Sequence, residues 1–155
     1  MIDDALKTFL ETGGCAVVVG TRDAGLAPEI TRAWGVRVLD PRTVELCLGM
    51  PSSARTLENL KDNGRLAVTS VSPMDYRQVQ LKGRAAATLA PTDEDRLQVE
   101  RHQHAFMRQV EHVGMGAEQC RRFWSHDDAD ALVKLRFVVD EAYDQTPGPD
   151  AGRPL

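Results

Sequence analysis

The sequence predicts a mainly β (α+β) fold, a six-stranded antiparallel barrel with peripheral helices, and three observations carry that expectation. Six short runs rich in β-branched and aliphatic residues recur along the 155-residue chain. Several are joined by turn-type connections too short for a crossover, so the strands they join run antiparallel. Helical periodicity is confined to the start, the middle and the stretch before the last strand, where helices decorate a sheet rather than alternate with it. Closing the sheet on itself also removes edges that strands this apolar would present for aggregation.

Each element has its own signal. Ile2, Ala5, Leu6, Phe9 and Leu10 fall at i, i+3, i+4, i+7 and i+8, which predicts an amphipathic helix over 2–12 stopped by Gly13 and Gly14. Residues 15–20 (CAVVVG) form a continuous apolar run and read as a strand buried on both faces. After a turn at 22–25, runs 28–39 and 43–48 are joined by Asp40, Pro41 and Arg42 as a hairpin, with Val44, Leu46 and Leu48 facing inward. A helix over 52–62 ends at Asn63 and Gly64, and strands 65–71 and 76–85 pair through a turn at 72–75. Thr92 caps a helix whose first turn is acidic and whose inner face holds Val99, Gln103, Phe106, Val110 and Val113. Gly114 and Gly116 break it, a short helix covers 117–124 with Trp124 as a core anchor, and 131–139 is the last strand, alternating Val133, Leu135, Phe137 and Val139. One domain over 1–145 is followed by an extended tail, 146–155, too polar and too rich in Gly and Pro to pack.

Composition narrows the function classes. A formal net charge of −4 with dispersed arginines argues against a nucleic-acid binder. Three cysteines without C-x-x-C spacing suggest free thiols and a cytoplasmic setting rather than disulfides or zinc. No apolar run reaches the roughly 20 residues that span a bilayer. His102 and His104, two residues apart on a helix, point to nearly opposite sides and read as surface residues; His112 and His126, the latter followed by Asp127 and Asp128, lack ligand spacing, so no metal site is expected. No nucleophile signature such as G-x-S-x-G occurs.

The most informative stretch is residues 51–57 (PSSARTL), an apolar strand followed at once by a helix start bearing hydroxyls and Arg55. The first N–H groups of a helix lack internal partners and sit at the positive end of the dipole, so the pattern is that of a phosphate site. Its alternative is purely local: Ser and Thr capping a helix, with Arg55 paired to Glu58 or Asn59. Arg32, on a strand, reads equally as a ligand contact or a solvated residue. Gln78, Gln80 and Lys82 share one strand face opposite Val79 and Leu81, a pattern common to a wet barrel exterior and to a dimer cleft.

Three segments in order, 28–35 (PEITRAWG), 52–68 (SSARTLENLKDNGRLAV) and 76–83 (YRQVQLKG), resemble the pyridoxamine 5′-phosphate oxidase-like family of FMN-binding split β-barrels. The likeness spans roughly residues 1–90 and the last strand. It implies a homodimer with FMN in a cleft between barrels and redox chemistry on a small molecule. Matched residue by residue, it assigns Arg32 to the strand arginine position, Ser53, Arg55 and Thr56 to the phosphate at the helix start, Gln78 to the flavin from the paired strand, and Trp34 to the ring's border. The chain departs from the name-giving oxidases in ending with a Gly/Pro tail instead of their arginine- and tryptophan-containing segment, and in a larger helical insertion over 92–125. Relatives in the same scaffold hold a deazaflavin or haem, and a non-catalytic flavin-binding or sensing module is the other reading of the same features.

Overall fold

The computed structural model describes residues 2–12, 14–124 and 131–155. Helix α1 (Asp4–Thr12) precedes strands β1 (Ala16–Arg22), β2 (Pro28–Asp40) and β3 (Thr43–Gly49); α2 (Met50–Asn63) leads to β4 (Arg65–Val71) and β5 (Gln78–Leu89). Helices α3 (Asp93–His112) and α4 (Ala117–Trp124) come before β6 (Leu132–Asp144) and a two-residue β7 (Arg153–Pro154). The strand order is β3-β2-β1-β4-β5-β6-β7, and pairing of β3 with β6 closes six antiparallel strands into the expected barrel.

The interior is aliphatic. Val17, Val19, Leu46, Leu48, Leu81, Leu135 and Phe137 are buried inside it, with Leu6 and Leu10 of α1 and Leu60 of α2 packed against the same core. Burial alternates along β1, so that strand has one face inside and one half-buried outside, not two buried faces. The run of small and aliphatic residues cannot reveal this, because Ala16, Val18 and Gly20 suit an outer wall as well as a core. At Gly83 the β5 and β6 backbones come so close that a Cβ would lie 2.0 Å from the Val138 carbonyl oxygen, next to a register shift in the ladder.

Several bounds differ from the sequence expectation. Strand β5 runs to Leu89 and β6 to Asp144, because each finds the other as a partner beyond its apolar run. The tail is not free: its return places Arg153 opposite Asp144 and Pro154 opposite Tyr143, and Leu155 N–H donates to the Ala142 carbonyl at 2.9 Å. Helix α3 begins as expected at Thr92, whose hydroxyl and backbone N–H exchange hydrogen bonds with Asp95. Of its expected inner face, Val99, Phe106 and Val110 are buried and Val113 is half exposed. His102 is a correction: it is buried at 2% exposure rather than on the surface, while His104 is exposed. His126, Asp127, Asp128 and the packing of Trp124 lie outside the described residues. Among the described residues no helix is long and apolar enough to cross a membrane, and no group of three or more His, Cys, Asp or Glu is placed to hold a metal.

Candidate functional site

Helix α3 lies across part of the outer wall. Beneath it Trp34 of β2 is buried edge-on to His102 and Phe106, with ring centroids 6.0 and 6.4 Å away. Gly35, with φ of +62°, lets the helix come this near: a Cβ there would stand 3.1 Å from the Val99 amide nitrogen. Beside this aromatic patch is a charged one. Lys134 contacts Asp95 at 2.8 Å and Glu45 at 3.7 Å, Arg136 binds the same Glu45 at 2.6 Å, and Arg37 reaches Asp95 and Glu94 at 3.7 and 3.4 Å. Burial raises the Asp95 carboxyl, but hydrogen bonds from Lys134 and Thr92 outweigh it and hold the group below the usual carboxylate range. Burial pushes the neighbouring Cys47 thiol up to about 12, which keeps it protonated and unreactive. Burial likewise lowers His102 to about 4; the Arg32 charge adds to that shift and the nearby Cys15 backbone opposes it.

Beyond the aromatic patch the same wall continues on β1, β4 and β5 as a strip of half-buried side chains, with Arg32 at its margin and Ala16 packed against the α3 cluster. The register fixes the strip: Val18 pairs with Arg32 and with Thr69, and Thr69 pairs with Gln80, so these four side chains form one row across four strands. The Gln80 amide donates to the Thr69 hydroxyl at 3.1 Å. Ala16, Val71 and Gln78 form the next row toward α1, since Ala16 pairs with Val71 and Val71 with Gln78. All seven are half-buried, a wall of mixed apolar and amide character bounded by one cation. The Arg32 guanidinium lies 5.5 Å from the ring centroids of both Trp34 and Phe106, so it leans from its row onto the aromatic patch under α3.

The residues expected from sequence therefore fall into two groups. Arg32 and Gln78 share the outer strip, and Trp34 shares their face but lies under α3. Ser53, Arg55 and Thr56 belong to α2, which packs on the other side of β2: Thr31, the neighbour of Arg32 and of opposite direction, donates to the Ser52 carbonyl at 3.2 Å. The helix also begins earlier than predicted, at Met50 with Gly49 as N-cap, so the hydroxyls do not cap it. Its orphan donors are few, since Met50 N–H donates to the Ala131 carbonyl at 2.6 Å and Pro51 has none. Ser53 and Thr56 are fully buried, Ser53 donating to the Gly49 carbonyl at 2.7 Å. Arg55 is exposed and pairs with Asp23 at 3.1 Å, not with Glu58 or Asn59. Sequence reasoning missed Thr69 and Val18, which no motif marks, and the Glu45–Lys134–Asp95 cluster, whose signal was present in the charges alternating through an otherwise apolar last strand.

No protein-family model and no curated protein matches the chain. Solved structures do. HupZ of Group A Streptococcus is 18% identical with a TM-score of 0.57, covering 98% of this chain and 100% of that one. A protein titled F420 reductase is 11% identical with a TM-score of 0.56, covering 92% and 98%. An FMN-binding protein from Syntrophomonas wolfei is 11% identical with a TM-score of 0.54, covering 89% and 82%. At these identities the likeness is one of fold. The chain has the split-barrel fold of the pyridoxamine 5′-phosphate oxidase-like proteins over nearly its whole length.

Proposed function

We propose that the chain is an FMN-binding flavoprotein that exchanges hydride or electrons with a small molecule, acting as a homodimer whose second copy covers the outer strip. The observation that carries this reading is the registered row Arg32–Val18–Thr69–Gln80, a wall that combines apolar contact, an amide and a cation. These residues suit a flavin. Val18 and Val71 would meet the ring's face, Gln78 and Gln80 its polar edge, and Arg32 a negative charge. Ser53 and Thr56 suit the phosphate poorly because they are buried in the α2 packing, so Arg32 is the better phosphate partner. Arg55 would contribute only after exchanging Asp23 for the ligand, a small cost for an exposed ion pair.

When bound, the flavin supplies the hydride and electron chemistry, and the protein need not offer a titrating acid or base. The chain's own part is to orient the ring, hold the anion and, with the second copy, exclude water. The fold shared with an FMN-binding protein supports this reading, and the fold shared with a protein titled F420 reductase supports a deazaflavin as the second candidate.

The test is titration of purified protein with FMN, riboflavin and F420, followed by cofactor fluorescence, with oligomeric state measured by sedimentation. Saturable FMN binding at one per chain, weaker riboflavin binding and a dimer are expected. Preference for F420 would move the assignment to the deazaflavin, and binding of neither would refute it. Bleaching of the yellow holoprotein by NADH or NADPH faster than free FMN separates a redox enzyme from a module that only binds.

A further inference from the structure

The outer wall carries a second feature that the flavin reading leaves unused. Next to the strip, toward the β1–β2 turn, Gly20 of β1 faces Ala67 of β4 across the ladder and gives the wall a floor with almost no side chain. A surface cavity of about 320 Å³ opens over it, lined by Arg22, Arg65, Lys82 and Arg84 together with Asp140 and Glu141. The register explains the gathering. Lys82 stands opposite Ala67, Arg84 stands opposite Arg65, and Arg22 lies two residues beyond Gly20 and so on the same face.

Four cations thus surround one shallow floor in a chain whose formal net charge is −4. Like charges directly opposed across a ladder, as Arg65 and Arg84 are, oppose folding. The carboxylates of the cavity are already engaged. Asp140 is divided between Arg84 at 3.4 Å and Arg42 at 3.5 Å, Glu141 accepts a hydrogen bond from the Tyr143 hydroxyl, and the Lys82 ammonium rests 4.8 Å from the Tyr143 ring centroid. Among the described residues no carboxylate oxygen lies within 4.0 Å of the charged groups of Arg22, Arg65 or Lys82. A local excess of positive charge held on a rigid sheet is relieved by an anion carrying at least two charges, and two guanidinium forks side by side match the oxygens of phosphate. The cavity is too small for a nucleic-acid groove and suits a single phosphate or pyrophosphate group.

We propose that this cavity is a binding site for a small phosphate-bearing anion, with Arg65 and Arg84 as its forks, Arg22 and Lys82 as flanking charges, and no share in holding the flavin. The probes are sodium pyrophosphate and inorganic phosphate, titrated calorimetrically at constant low ionic strength. One saturable site per chain is expected, weakening as salt rises. The double variant Arg65→Gln/Arg84→Gln should bind pyrophosphate at least tenfold more weakly, while Arg101→Gln, an exposed change on α3, should not.

A second readout separates binding from structure. Without anion, Arg65→Gln should melt at or above the temperature of the parent, since it removes a like-charge contact, and the rise in melting temperature that pyrophosphate gives the parent should disappear. Lack of saturable binding, unchanged affinity in the double variant, or a lower melting temperature of Arg65→Gln without anion would each overturn the proposal. So would displacement of pyrophosphate by FMN, which would make the cavity the far end of the flavin site. The anion titration reads out in cofactor-free protein, so its result does not depend on whether FMN binds.

Discussion

The two sides of the same barrel wall are built on opposite principles. Inside, Leu46, Leu135 and Phe137 are buried among other aliphatic side chains, and the core is held by area removed from water, which is indifferent to pH and weakly dependent on salt. Outside, under α3, a Trp–His–Phe patch and the Glu45–Lys134–Asp95 cluster hold the helix by aromatic packing and buried ion pairs. Ion pairs of this kind add less to stability than they add to register. The difference teaches that the barrel determines whether the chain folds, and the charged layer determines where α3 sits on the wall.

Substitutions at graded depths break or sharpen this contrast. The largest effect belongs inside: Phe137→Ala leaves a cavity in a fully buried site and should cost about 3–5 kcal/mol in chemical denaturation. Next is Lys134→Ala, which strips one cation from two buried carboxylates and should cost about 3 kcal/mol. A loss as small as that of an exposed ion pair would show the cluster to be dispensable. Lys134→Met in combination with neutral replacements of both carboxylates should recover much of that loss.

His102 gives the third effect, through pH. Its folded-state value of about 4 lies below the ordinary 6.5, so the unfolded chain binds the extra proton first. Stability is full above pH 6.5 and falls as pH drops toward 4, by about 2–3 kcal/mol. Denaturant midpoints measured at pH 7.5 and 4.5 should differ by less in His102→Gln than in the parent. The smallest effect on stability is that of Arg55→Ala, an exposed pair whose removal should leave the melting temperature nearly unchanged. An equally small effect on FMN affinity would remove Arg55 from the proposed site, whereas Arg32→Ala should lower that affinity at least tenfold.

The barrel was legible because its signal is local. Alternation at Val44, Leu46 and Leu48 and at Val133, Leu135 and Phe137 is the pleat itself, and each run turned inward as read. What was not legible depends on partners distant in sequence. The tail carries no strand pattern, and Arg153 and Pro154 become a strand because β6 runs past the end of β3 and offers them its edge. His102, three residues after Val99 and four before Phe106, has the spacing of the buried stripe of α3; the pair with His104 draws it to the surface in the sequence reading, and Trp34 lies beneath it. Arg55 finds Asp23, 32 residues away, across a turn that periodicity cannot bring near. For the site, alternation assigned Gln78 and Gln80 to one strand face but could not say which face joined that of Arg32; only the register through Val18 and Thr69 does.

The edge-on seating of Trp34 has an optical consequence. Its indole is shielded from water by α3 and has a cation and a titrating imidazole as near neighbours. With Trp124 replaced by Phe, emission from Trp34 alone becomes a gauge of helix attachment. A red shift on acidification or on loss of the Lys134 contacts would report α3 lifting away while far-ultraviolet dichroism still records an intact sheet.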